Sequence, residues 1–356
     1  MSQAQKVDVE RLLKDKRVKD RKGAQQYRPE VISLPRLMEM NVPKPEMLIE
    51  GILPLRGATL LVGMPKSGKT IFAMQAALAV ASGSAFLDYY KILKPGPSLL
   101  LEQDDPGATA SMKDIANRSR VKTAETEFWL VPRVKYSFGP EFLGWLESEI
   151  RGRQLKLCVL DSYTALRRAR GGGGDIVKEE QEDLNRLNEL AMRTDSAILI
   201  LHHNSKGSAA LDWSQQAAGT FAMAAATEAQ IFISRFQEME SAAPERLVRA
   251  RARHGRDVEA VLRFREETLD YEHIFASGAA PLYPLIQQLQ VAFEDRHFSP
   301  KGFCQETGVS RSTAHRHINL LFRAGVLIRR GYGEYQLERE YQPKNDAGKR
   351  EGDCQT

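Results

Sequence analysis

The chain has 356 residues, 42% hydrophobic and 27% charged, with a formal net charge of +5. This composition fits a globular α/β domain of ordinary size joined to a smaller one and excludes a fibrous or low-complexity protein, while the basic balance permits a nucleic-acid partner. No apolar run reaches a membrane span, Cys158, Cys304 and Cys354 lack disulfide-framework or metal-ligand spacing, and the opening MSQAQKVDVE has no signal-peptide core. Together these predict a cytoplasmic protein without membrane contact.

Residues 1–30 are crowded with charge (RLLKDKRVKDRKG) and read as a solvated tail or isolated helix, with a basic arm for nucleic acid as the functional alternative. Prolines at 29, 35, 43, 45 and 54 predict an extended lead-in over 31–55 rather than a long helix. An apolar strand at 58–62 runs into GMPKSGKT at 63–70, and a helix from about 67 to 81 is closed by Ser82 and Gly83. The pattern then alternates: strand 98–101, helix 108–119, strand 128–131, helix 140–151, strand 156–160, a helix capped by Asp175 and running to about 193, and strand 197–201. Such alternation predicts a domain over 31–275 with a mostly parallel sheet covered by helices, extended by antiparallel strands between about 230 and 271.

A second unit is expected over 281–340. Helices at 284–293, 299–306 and 312–323 precede two β runs, 326–330 and 334–337, around Gly331-Tyr332-Gly333. That order is a helix-turn-helix followed by a hairpin, the plan of a winged helix. The polar tail 341–356 reads as disordered.

Gly63, Met64, Pro65, Lys66, Ser67, Gly68, Lys69 and Thr70 match the phosphate-loop pattern G-x-x-x-x-G-K-[ST] between a strand and a helix. Glycines let the backbone N–H groups curl around a triphosphate, and the following helix adds its positive end. Lys69 is expected on the β- and γ-phosphates of ATP and the Thr70 hydroxyl on Mg²⁺. Asp161, at the end of an apolar strand, has the Walker B arrangement and is expected as the second metal residue, a simple strand-end cap being the alternative. Glu102 and Asp104 lie at the carboxyl end of a neighbouring strand (LLLEQDDP), where an acid that activates water belongs, although Asp105-Pro106 also suits a helix start. In the segment HHNSKG, His203 follows a buried strand and can donate to a γ-phosphate, with Lys206 just beyond.

These four segments resemble the RecA-like hexameric helicases of the plasmid RepA type and related phage and mobile-element AAA ATPases. The likeness covers roughly 48–271, HHNSKG being its most specific piece. It implies a RecA-like core, with Lys69, Thr70 and Asp161 on nucleotide and metal and His203 as γ-phosphate sensor. A gapless match sets Asp104 where the family has its catalytic Glu, and Glu102 shares the strand face. The family's trans-acting basic finger is sought at Arg253 and Arg256, where a solvated edge strand is the competing reading.

DNA contacts are expected from the basic, glycine-rich loop carrying Arg167, Arg168 and Arg170 and from Lys206, which by the resemblance line a channel for single-stranded DNA. In the winged helix, Arg311, Ser312, Thr313 and Arg316 open the third helix and Arg329 and Arg330 lie on the wing, in a stretch without acids between Glu306 and Glu334. The overall reading is an ATP-dependent motor on single-stranded DNA, a homohexameric ring whose winged helix binds duplex DNA or docks a replication initiator or primase. An ATP-switched DNA-binding regulator and a recombination or repair ATPase are the alternatives.

Overall fold

The computed structural model describes residues 17–19, 25–27, 31–40, 45–104, 107–119, 123–167, 176–203, 223, 226–235, 244–255, 257–276 and 282–338. Contacts divide the chain into two units, Met1–Pro45 and Glu46–Thr356. In the first, β1 (Arg17–Lys19) pairs antiparallel with β2 (Gln25–Tyr27), and α1 (Leu34–Glu39) carries no buried residue. The lead-in thus holds a short helix. Pro35 sits in its first turn, where the missing N–H costs nothing.

In the second unit β3 (Met47–Ile49) and β4 (Leu53–Pro54) form a small hairpin that the proline-rich sequence concealed. The central sheet then takes β5 (Gly57–Gly63), α2 (Lys69–Ser82), β6 (Ser98–Glu102), α3 (Ala108–Arg118), β7 (Phe128–Val131), α4 (Pro140–Arg153), β8 (Leu157–Asp161), α5 (Tyr163–Leu166), α6 (Ile176–Thr194), β9 (Ala197–His203) and β10 (Ala229–Arg235). Three antiparallel strands follow: β11 (Glu245–Ala252), β12 (Val258–Arg265) and β13 (Asp270–Ala276). The order is β13-β12-β11-β10-β5-β9-β8-β6-β7, with β10, β5, β9, β8, β6 and β7 parallel, a mostly parallel mixed sheet as expected.

Period-two alternation divides each central strand between two cores. Leu61, Leu100, Val159, Leu199 and Ile231 face α2, which buries nearly every side because its alanines fit close against the sheet. Leu60, Leu99, Leu160, Ile200 and Phe232 face the other way, onto Phe142, Leu146 and Ile150 of α4 and Leu184, Leu187 and Leu190 of α6. The apolar residues of both helices recur every three or four positions, so each presents one stripe to the sheet.

The chain ends in α7 (Tyr283–Phe293), α8 (Pro300–Thr307), α9 (Arg311–Arg323) and the hairpin β14 (Leu327–Gly331) with β15 (Glu334–Leu337). Ser299 and Ser310 cap α8 and α9 through their hydroxyls. This group does not stand apart from the sheet. Val261 of β12 joins Ile286, Leu289, Phe303, Ile318 and Leu321 in one core, with Leu247 and Ile274 against it, while Ala260 and Leu262 face the α2 side. Among the described residues, no helix is long and apolar enough to cross a membrane.

Candidate active site

The strand–loop–helix passage from β5 to α2 turns on two conformations. Gly68 has φ +97°, and a Cβ there would collide with the Tyr271 hydroxyl, so only glycine fits. Lys66 adopts a left-handed φ of +63° without being glycine. Lys69 is buried, its Nζ donating to the carbonyls of Gly63 (2.9 Å) and Met64 (3.0 Å). Burial pushes its ammonium down to about 8 against the pull of the Asp161 and Asp104 carboxylates. The buried Ser67 hydroxyl has no hydrogen-bond partner among the described residues. A curled backbone, a buried ammonium and an orphan hydroxyl fit an anionic ligand, which is what a triphosphate supplies.

Parallel pairing brings the acids to the same edge. Glu102 is level with Asp161 in the β6–β8 ladder, and both are buried. Thr70 Oγ1 donates to Asp161 Oδ2 at 2.6 Å, so the expected metal pair is in direct contact. Burial and the nearby Asp104 charge raise the Asp161 carboxyl, against hydrogen bonds from Thr70 and Glu102 and the Lys69 charge. No cluster of three or more His, Cys, Asp or Glu side chains among the described residues is arranged to hold a metal. Thr70 and Asp161 offer a hydroxyl and a carboxylate oxygen instead, the hard donors that would hold a Mg²⁺.

The two candidate bases separate by exposure. Glu102 is 2% exposed, and its Oε1 accepts from the Asp104 backbone N–H at 2.8 Å. Asp104 is exposed, and Ser162 Oγ donates to its Oδ2 at 2.6 Å. Between them Gln103 locks the strand end, its side chain bonded to both the N–H and the carbonyl of Val134.

His203 ends β9 level with Gly63, beside the start of the phosphate loop. Arg253 lies elsewhere. It follows Ala252, which pairs with Ala229 and through it stands level with Thr59, at the end of the sheet opposite the phosphate loop. There Arg253 Nε donates to the Thr227 carbonyl at 3.2 Å. Arg167, expected in a DNA-facing loop, instead donates to Glu180 of α6 at 2.6 Å and lies over the Tyr163 ring. Asp105, Pro106, Arg168, Arg170, Asp175, Lys206 and Arg256 lie outside the described residues, as do 1–16 and 339–356.

At the C-terminal unit Arg311, Ser312, Arg316, Arg329 and Arg330 are exposed and Thr313 is half-buried. Ser312 and Thr313 hydroxyls gather around Ser310 at the start of α9. Arg329 lies over the fully exposed Tyr332 ring, and Arg330 Nε donates to Gln336 at 2.7 Å.

Three residues at the phosphate loop escaped the sequence reading. Arg235 Nη2 donates to the Lys66 carbonyl (3.2 Å), Arg246 Nε donates to the Ser67 carbonyl (3.1 Å), and Tyr271 abuts Gly68. No local signal marks them, because an arginine near the end of a strand looks like any solvated charge.

No curated protein matches the chain in sequence. Among solved structures, the RadB recombinase crystal structure aligns at 16% identity over 63% of this chain and 91% of that one, with a TM-score of 0.45. A DnaB-like replicative helicase, described with its interactions with primase, aligns at 13% over 61% and 59%, TM-score 0.48. A further structure, of an ATPase domain, aligns at 13% over 61% and 84%, TM-score 0.47. The family model described as an AAA domain matches residues 27–209, a span holding the phosphate loop, both candidate bases, Asp161 and His203 within just over half of the chain, which therefore belongs to the AAA domain family.

Proposed function

We propose that the chain is an ATP-hydrolysing motor of the RecA type acting on single-stranded DNA as a homohexameric ring. The observation that carries the hydrolase part is the 2.6 Å contact between Thr70 and Asp161 beside the exposed Asp104. In this reading Lys69 leaves the Gly63 and Met64 carbonyls for the β- and γ-phosphates. Thr70 and Asp161 hold Mg²⁺, which when bound neutralises charge on the phosphate oxygens. Asp104, oriented by Ser162, takes a proton from the attacking water as its oxygen bonds to the γ-phosphorus and the bond to the bridging oxygen of ADP breaks. Glu102 holds the Asp104 backbone and Asp161 in place, and His203 reports loss of the γ-phosphate.

The DNA part is supported by the one-signed surface of α9 and β14. Arg311, Arg316, Arg323, Arg329 and Arg330 are exposed, and no carboxylate occurs between Glu306 and Glu334. We read α7–α9 with β14 and β15 as a winged helix that binds duplex DNA or docks an initiator or primase. The ATP-switched regulator remains the second reading, favoured by one observation: Arg167 is tied to Glu180 rather than presented to a ligand.

ATP turnover with and without single-stranded DNA decides between them, using Arg168→Ala/Arg170→Ala and Arg311→Ala/Arg316→Ala variants and particle symmetry from electron microscopy. The motor loses DNA stimulation in the first variant and keeps basal turnover. A regulator ignores the first and loses duplex binding in the second, with its salt dependence flattened by about two log units per log salt.

A further inference from the structure

We propose that Arg246 is a positioning residue of the nucleotide site, anchored from the C-terminal helices through Glu245 and Tyr283, so that these helices set nucleotide affinity. The inference rests on the ATP-binding reading and deepens it.

Two strands deliver the grip. Arg235 and Arg246 stand opposite each other in the β10–β11 ladder, at the end where β10 runs alongside β5 toward the phosphate loop. Their guanidinium groups take the carbonyls of consecutive loop residues, Lys66 at 3.2 Å and Ser67 at 3.1 Å. In a trans peptide the N–H points opposite to the C=O. A donor holding the Ser67 oxygen from outside therefore turns the Gly68 N–H the other way, into the loop. Lys66, left-handed at φ +63°, occupies a conformation that is unfavourable for a residue other than glycine. Arg235 holds its carbonyl there. The Arg246 charge also acts on the Tyr271 hydroxyl, which closes over Gly68.

Arg246 is itself held. Its Nη1 donates to the Glu245 carbonyl at 2.7 Å, and the buried Glu245 carboxylate accepts from Tyr283 Oη at 2.7 Å. Arg263 Nε lies 3.6 Å from Glu245, and its Nη2 reaches Tyr283 Oη at 3.4 Å. Tyr283 opens α7 and sits in the core that joins β12 to α8 and α9. The path from the phosphate loop thus runs by hydrogen bonds through Arg246 to the Glu245 carbonyl, then through the covalent frame of Glu245 to its carboxylate, and by a further hydrogen bond to Tyr283 at the start of the first C-terminal helix.

The test uses the full chain and measures ADP and ATP dissociation constants, KM, kcat and Tm without DNA. Arg246→Ala is expected to weaken ADP and ATP equally, by about tenfold, with KM rising in proportion and turnover at saturation falling no more than about threefold. Arg246→Lys, which keeps one donor, recovers part of the loss. Tyr283→Phe removes only a hydroxyl distant from the nucleotide. It raises both dissociation constants about threefold and serves as the test should Arg246→Ala fail to fold. A loss confined to ATP would put the guanidinium on the γ-phosphate and overturn the assignment. So would unchanged constants with a lowered Tm, which mark a purely structural role. Unchanged constants in Tyr283→Phe overturn the anchor. A wild-type chain that binds neither nucleotide defeats the ATP-binding reading itself, a separate outcome.

Discussion

In the antiparallel half of the sheet, guanidinium groups meet carboxylates of the adjoining strand or of nearby connections: Arg249 with Glu259, Arg251 with Asp257, and Arg265 with Asp270 and Asp88. In the parallel half, Glu102, Asp104 and Asp161 crowd at one edge with hydroxyls and a backbone N–H as partners, while the nearby ammonium of Lys69 faces carbonyls. The first arrangement is complete by itself. The second gathers negative charge around a buried cation that has other partners, and a bound metal and triphosphate would complete it. The contrast separates charges that stabilise the fold from charges held for a ligand.

Five substitutions probe that division, beginning with the largest effect. Lys69→Ala should reduce nucleotide binding and hydrolysis by at least about a thousandfold, because it removes the charge that meets the β/γ-phosphates. Calorimetric titration with ADP and a phosphate-release assay check it, and normal turnover would dismantle the ligand side of the comparison. Asp104→Asn should preserve ADP binding and lower turnover at least about a hundredfold. Glu102→Gln keeps a hydrogen-bonding shape and should be milder. A reversed ranking would make the buried acid the base.

Arg265→Met addresses the other half. It leaves Asp88 and Asp270 without their shared partner and should cost about 2–4 kcal/mol in denaturant unfolding. ADP affinity should stay within about twofold, and a larger loss would mean that this network also serves the ligand. The smallest effect is a pH dependence. Only protonated Lys69 meets phosphate, so ADP affinity should fall as pH rises through about 8, by roughly fivefold between pH 8 and 9. Lys69→Arg, charged throughout this range, should show a flat profile across the same titration.

Much of the parallel core was legible because strands buried on both faces read as unbroken apolar runs that stop at a polar residue. Leu157–Asp161 and Ala197–His203 are such runs, and their observed limits lie within two residues of those expected. The phosphate loop was legible because its glycine spacing is a local necessity. Arg235, Arg246 and Tyr271 were not, since their roles follow from pairing across the sheet and not from neighbouring residues. The same limit explains Arg167. Its glycine-rich surroundings suggested a presented cation, but Glu180, thirteen residues on along α6, takes it. The β3–β4 hairpin was hidden by Pro54, which read as a strand breaker and in fact ends an edge strand.

The central place of β5 has a consequence for the order in which the protein is made. Its two neighbours, β9 and β10, begin only at Ala197 and Ala229, whereas β5 begins at Gly57. At translation rates of about 5–20 residues per second, the nascent phosphate-loop strand waits on the order of ten seconds or more for its first partner. Until then the backbone edges of β5 lack their strand partners, and Arg235 and Arg246, which grip the loop, have not been synthesised. Nucleotide therefore cannot template the fold from its amino-terminal side. The site closes late, when the chain's distant strands arrive to flank it.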